Sequence, residues 1–187
     1  MKKLHALGLA ISAALCIPLA AHATDGRITF NGALSAQTCT ISPAGGSFAV
    51  TLPTITAASL AGSPYGGATN FSIDVSACPT GINSYVAYFE AGANVDMTNA
   101  KLKNTDTGTG AATFVEIDLT NADGSPIDLR KPTTLQGVTP APVTGGKGSA
   151  HFFARYFDAG GPVVGGPSTV PTAGSVHSYV DYSLVYN

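Results

Sequence analysis

Three cysteines, four histidines and eleven carboxylates are the side chains of this chain that could do chemistry. Cys16 lies inside an N-terminal apolar run, which leaves Cys39 and Cys78 as an even pair. In an exported chain such a pair most simply forms one disulfide. The loop it closes is about 40 residues, worth roughly 3–4.7 kcal/mol on the chain-entropy view. A metal pair would need a further Cys or His close by in sequence, and none is present. His151 and His177 have no Ser/Asp or Cys partner at a recognisable spacing. Glu116 and Asp118 alternate along one segment, and their common face is read as the solvated side of a strand rather than a glycosidase pair. Asp74, Asp96 and Asp106 do not have calcium-loop spacing. Gly160-Gly161-Pro162 and Gly165-Gly166-Pro167 lack the Lys-Ser/Thr ending of a phosphate loop. Asn70-Phe71-Ser72 is taken as a chance sequon. No catalytic set, cofactor or metal is expected.

Those residues must be placed by a chain that opens with an export signal. Lys2 and Lys3 precede the apolar run 7–19, and Ala21-His22-Ala23 is a small-x-small cleavage site, so residues 1–23 read as a signal peptide. A lipid-anchor reading of Cys16 is disfavoured by the large Leu15 before it. The 164 residues after the signal fit one domain. They hold seven basic against eleven acidic residues, a net charge of -4 with the basic residues scattered, so no nucleic-acid partner is expected. Charged residues are only 11% of the chain while Gly alone numbers 22. That composition suits strands and tight turns rather than a helical enzyme.

Period-two alternation recurs throughout, and no long helical period interrupts it. Ile28, Phe30, Gly32 and Leu34 alternate first; Cys39 and Ile41 continue a strand up to Pro43. Phe48, Val50 and Leu52 alternate up to Pro53, and Phe71, Ile73 and Val75 run into Cys78-Pro79. Residues 85–90 and 114–119 read as strands, Asn121-Ala122-Asp123-Gly124 as a turn, and Ile127 with Leu129 as a short return strand. Residues 151–157 form an aromatic strand. The last strand runs over 174–187 with Val176, Val180, Tyr182, Leu184 and Tyr186 on one face. About seven strands at this spacing predict an all-β sandwich. Residues 91–112 and 159–172 are polar, Gly-rich and expected to be outward-facing loops.

The first strand admits two readings. It could pair within its own sandwich, or serve as an arm that completes the sheet of another molecule. Gly32 could mark a bulge or a close backbone approach, or a deliberately empty position on such an arm.

The stretch TDGRITFNGALSAQTC, residues 24–39, resembles the start of mature chaperone–usher pilins, the type 1 and P fimbrial subunits. These begin with a short alternating apolar arm, a Gly at one alternate position, and then a Cys. Gly32 and Cys39 fill those places. The order and spacing of Cys39 and Cys78 are similar to the family's disulfide from first to third strand. The ending is similar too, with Gly174 about fourteen residues from the terminus and Tyr186 penultimate. Phe152-Phe153-Ala154-Arg155-Tyr156 resembles the penultimate strand.

The resemblance implies an immunoglobulin-like β-sandwich that is incomplete and is finished by a donor strand from a neighbouring subunit. It implies an arm over 24–37, with Ile28, Phe30, Gly32 and Leu34 entering the neighbour's groove, and a pilin domain over 38–187. Gly174, Val176, Val180, Tyr182, Leu184 and Tyr186 would form the groove-lining, chaperone-gripped strand. The implied partners are neighbouring pilin subunits, a periplasmic chaperone and an outer-membrane usher. The implied location is the fimbria at the cell surface, reached through the periplasm. A minor adaptor or terminator pilin, or a self-complete secreted lectin-like sandwich, is the alternative.

Overall fold

The structure, a computed structural model, describes residues 27–30, 38–61, 63–160 and 169–187. The expected signal peptide, Gly32, Leu34 and part of the 159–172 loop lie outside the described residues. The chain divides into two compact units, 1–34 and 35–187. In the first, residues 27–30 carry no assigned strand, and Ile28 and Phe30 are 79% and 88% exposed.

The second unit is all-β with two antiparallel sheets. Its strands are β1 (Thr40–Ser42), β2 (Tyr65–Ser76), β3 (Ser84–Phe89), β4 (Leu102–Lys103), β5 (Val115–Asn121), β6 (Ala141–Pro142), β7 (Gly148–Asp158) and β8 (Tyr182–Tyr186). One sheet has the order β1-β2-β7-β5-β4 and the other β6-β3-β8. The inner residues of the alternation meet between the sheets: Ile73, Val75, Ile117, Leu119, Phe152 and Ala154 from the first, Tyr85, Ala87 and Phe89 from the second. Phe152 touches Phe71 and stands edge-on to Phe89, with ring centroids 5.4 Å apart in each pair. Tyr85 is fully buried and donates its hydroxyl to the Ile73 carbonyl at 2.6 Å, tying one sheet to the other. Burial pushes that phenol up to about 12.

Cys39 and Cys78 are bonded, joining the start of β1 to the chain just past β2. β1 and β2 already pair at Thr40 and Ser76, so the bridge continues the ladder covalently.

Several elements differ from what the sequence suggests. A short helix, α1 (Ala57–Ala61), interrupts the alternating pattern; Thr56 caps it, its hydroxyl accepting from the Ser59 amide at 3.2 Å. Ile127 and Leu129 are buried but make no strand, only a single bridge at Thr120 and Pro126. Residues 91–112 are not a wholly exposed loop. Val95, Ala100, Lys101 and Leu102 are buried, because β4 adds an edge to β5. Residues 48–52 are extended but unpaired, since no neighbouring strand lies beside them among the described residues.

Buried Gln136 acts as a substitute strand at the end of β3. Its amide donates to the Phe89 carbonyl at 2.6 Å and accepts from the Phe89 amide at 3.1 Å. Gln136→Leu should strand both backbone groups inside the core and cost about 1–3 kcal/mol, read by denaturant unfolding.

Candidate functional site

The core between the sheets is open along one side. A groove of about 810 Å³ is lined by Phe71, Ile73, Ala154, Ile117 and Leu119 of the larger sheet and Phe89 of the smaller, all but Phe71 being buried core residues. Its two banks are segments outside the strands, residues 47–52 on one side and 176–181 on the other, the latter running into Tyr182 at the start of β8.

The far bank leads into β8, an edge strand paired only with β3. Ser84 and Asn187 exchange backbone bonds at 3.1 and 2.9 Å, and the Glu90 amide donates to the Asp181 carbonyl at 2.8 Å. The His177 carbonyl accepts from the Thr105 amide at 2.7 Å, and the Tyr179 carbonyl accepts from the Asn94 side chain. Odd-numbered residues therefore bond toward the body. By strand alternation, the amides and carbonyls of 176, 178, 180, 182, 184 and 186 point outward along a free edge. The near bank is barer still. Among the described residues, no backbone hydrogen bond involves residues 47–55. Two unpaired edges thus face one another across an apolar floor, the arrangement that templates an added strand.

Side chains on the far bank alternate accordingly. Val176, Val180, Tyr182, Leu184 and Tyr186 are half-buried and pack on the core, while His177, Tyr179, Asp181, Ser183 and Val185 are exposed. Tyr182 crosses to the near bank, donating its hydroxyl to the Gly46 carbonyl at 2.6 Å and meeting the Phe48 ring edge-on at 6.4 Å. Ser178 sits on the inner face between two valines, and its hydroxyl is buried without a hydrogen-bond partner among the described residues.

Gly174 ends the far bank for a steric reason. A Cβ there would lie 2.4 Å from the Ala112 amide nitrogen and 2.7 Å from the Gly110 carbonyl. The adjacent Ser175 is pinned to that strip by bonds to Gly110 and Ala112 of 2.8 and 3.0 Å. Gly174→Ala should force these backbones apart and lower stability by about 1–3 kcal/mol in thermal unfolding.

The near bank is the part that sequence reasoning misses as a site. Phe48, Val50 and Leu52 give a visible alternating signal, but one indistinguishable from an ordinary paired strand. Ile28 and Phe30, expected as arm residues, are exposed, and Gly32 and Leu34 are outside the described residues.

The expected solvated face of Glu116 and Asp118 is in fact buried. Asp118 is 1% exposed and holds two cations: the Lys101 ammonium on one oxygen and the Arg155 guanidinium on the other at 2.7 Å. Arg155 also stacks 3.7 Å from the centre of the Tyr65 ring. These charges are enclosed because the 93–101 segment and β4 fold over β5. Burial raises the Glu116 carboxyl above its usual range, partly opposed by the Asn99 amide, which donates to it at 2.6 Å. The folded state therefore holds that proton more tightly than the unfolded chain. Stability should be unaffected by Glu116 below 4.5 and should fall as pH rises through the raised value. Glu116→Gln should flatten this decline in a series of melting temperatures against pH.

Asp74, Ser149 and His151 meet on the outer face of β2 and β7, although their sequence spacing does not suggest it. The Ser149 hydroxyl donates to Asp74 at 2.5 Å and lies 3.2 Å from His151 Nε2. The serine hydroxyl donates to the carboxylate, whereas in a catalytic triad the serine donates to histidine and histidine to the acid, so the order of partners here differs from that of a triad. No cluster of three or more His, Cys, Asp or Glu side chains suited to a metal exists among the described residues. No helix among them is long and apolar enough to cross a membrane.

Comparison with known proteins agrees with this geometry. A family profile described as "Fimbrial protein" matches residues 28–174. The chain is 35% identical to the major fimbrial subunit SMF-1 of Stenotrophomonas maltophilia (strain K279a), covering 91% of this chain and 97% of that one. It is 36% identical to the F17 fimbrial protein of Escherichia coli, over 88% of each. Its fold is similar to that of the P pilus rod subunit PapA, with a TM-score of 0.57 at 17% identity, covering 81% of this chain and all of the other. With matches to the family over most of its length, the chain belongs to the fimbrial protein family.

Proposed function

We propose that this protein is a structural subunit of a bacterial fimbria whose groove is filled by the N-terminal arm of the next copy. The groove carries the proposal: two unpaired backbone edges flank an apolar floor that an alternating apolar strand would cover. Ile28, Phe30 and Leu34 supply such a strand; burying all three would contribute roughly 5–9 kcal/mol. Ladder hydrogen bonds would add on the order of 1 kcal/mol each. Such sums match the whole stability of an ordinary domain, about 5–15 kcal/mol. A lone subunit is therefore marginal and the joined fibre durable.

One chain with both arm and groove makes a head-to-tail contact that does not close, hence a filament. Before assembly a periplasmic chaperone would occupy the groove edge at 176–186, and an outer-membrane usher would be the place of exchange. In this reading residues 1–23 are removed on export and 24–37 form the arm. The chemistry is strand addition, and no catalysis is required.

The test uses a host without fimbriae that supplies the assembly proteins. The full chain should yield fibres by electron microscopy. A chain lacking 24–37 should yield none, yet should be recovered joined to a full-length copy, because it keeps its groove. Undiminished fibres from the shortened chain would overturn the reading.

A further inference from the structure

Part of the far bank is extended although no strand lies beside it among the described residues. From β8 down to Asp181 the bank pairs with the β3 chain, and the Glu90 amide makes the last of those bonds. That chain then turns away, with the Gly92 amide bonding back to the Glu90 carbonyl at 2.8 Å. Residues 175–179 lie beyond this point. There the inner edge of the bank meets the base of a hairpin, the one that carries β4. The two sides of the hairpin bridge at Val95 and Leu102, and the Asn94 carbonyl accepts from the Lys103 amide at 2.8 Å. Asn94 and Asn104 flank that base, and both side chains reach the bank.

Asn104 acts there as a length of strand. Its Nδ2 donates to the Ser175 carbonyl at 3.0 Å and to the Ala112 carbonyl at 2.9 Å. Its Oδ1 accepts from the His177 amide at 3.0 Å and from the Asp106 amide at 3.1 Å. The whole capacity of the side-chain amide is used. One residue on, the Thr105 amide donates to the His177 carbonyl at 2.7 Å. Asn94 supplies the next rung, donating to the Tyr179 carbonyl at 3.2 Å. The rungs fall on 175, 177 and 179, two residues apart, which is the repeat of a strand edge. Fixing one edge at every second residue fixes the other edge in turn.

Resting on the arm-in-groove reading above, we propose that Asn94 and Asn104 are positioning residues for strand addition: they hold the far bank extended before the arm arrives. Without them the arm would have to order the bank as it docked, and preorganisation removes that cost from the docking step. Asparagine suits the task because its amide both donates and accepts, as a peptide group does. Both residues are half-buried and neither belongs to the hydrophobic core, so their loss falls on docking more than on folding.

The test mixes two full-length chains in the fimbria-free host that supplies the assembly proteins. One is unmodified; the other combines Asn94→Ala and Asn104→Ala with an epitope in the exposed 122–124 turn. A copy that gives its arm but accepts none can stand only at the end of a fibre. An equal mixture should therefore yield fibres at least tenfold shorter than the unmodified chain alone, with gold label at one end. The same epitope on otherwise unmodified copies should label fibres throughout. Label all along fibres of ordinary length would overturn the role of the asparagines and leave the arm-in-groove reading standing. Unlabelled fibres of ordinary length would mean that the asparagines hold the fold itself, and would overturn that role as well. Asn104→Asp is a second, size-matched variant for the same mixture. It keeps the acceptor for His177 and Asp106 but has no donor for Ser175 and Ala112, so it should also end fibres; its even incorporation would count against the proposal. A complete lack of fibres from the unmodified chain would instead overturn the arm-in-groove reading, and this proposal with it.

Discussion

Phe30→Asp should abolish fibres while leaving the subunit's own fold intact. Phe30 is 88% exposed, so the subunit's fold does not depend on its ring. Its burial in a neighbour's groove would contribute about 1.5–3 kcal/mol. A carboxylate in that place, against a floor of Phe89, Ile117 and Leu119, adds a desolvation cost of several kcal/mol. A total above about 3 kcal/mol lowers the exchange equilibrium at least a hundredfold, since each 1.4 kcal/mol is a factor of ten. The measurement is the heat-stable subunit ladder on denaturing gels together with electron microscopy of the cells. Thr29→Asp is the matched control. Its side chain would face solvent on a docked arm, and fibre yield should change less than threefold. Equal loss from both would show that charge on the arm, rather than burial of alternate residues, governs assembly.

Asp118→Ala should be the most damaging single change within the sandwich. The carboxylate is buried between the Lys101 ammonium and the Arg155 guanidinium. Removing it leaves two cations facing each other in a site largely closed to water. Breaking a buried ion pair on one side costs about 3–5 kcal/mol. Against a subunit that lacks its final strand, that is a large share of the available stability. Denaturant unfolding of the purified subunit should show it, with little soluble protein recovered at 37 °C. The apolar replacement Lys101→Met, Asp118→Leu, Arg155→Met should be much milder, because it removes the charges together. Similar losses from the single and the triple change would mean that packing, not charge, holds this region.

The two predictions concern different surfaces. The first acts on an edge the protein leaves open, the second on a face it closes with its own loop. An open edge invites a partner strand, while a closed ion cluster fixes how β4, β5 and β7 sit against each other. Assembly and stability are separable in this fold for that reason.

The alternation of Phe71, Ile73 and Val75, of residues 151–157 and of the C-terminal strand is legible because a strand buried on one face writes its burial at period two. The Cys39–Cys78 bond and the all-β class follow from residue type and spacing. The inward set Val176, Val180, Tyr182, Leu184 and Tyr186 is legible for the same local reason. Other features depend on neighbours distant in sequence. Residues 48–52 look like any paired strand, and only the tertiary arrangement leaves them without a partner. Glu116 and Asp118 look solvated until the 93–101 segment covers them, and Gln136 is an ordinary polar residue until Phe89 lies beside it. Local pattern records which face of a segment turns inward; whether anything lies alongside its edge is set by chain returning from far away, and only the folded molecule supplies that.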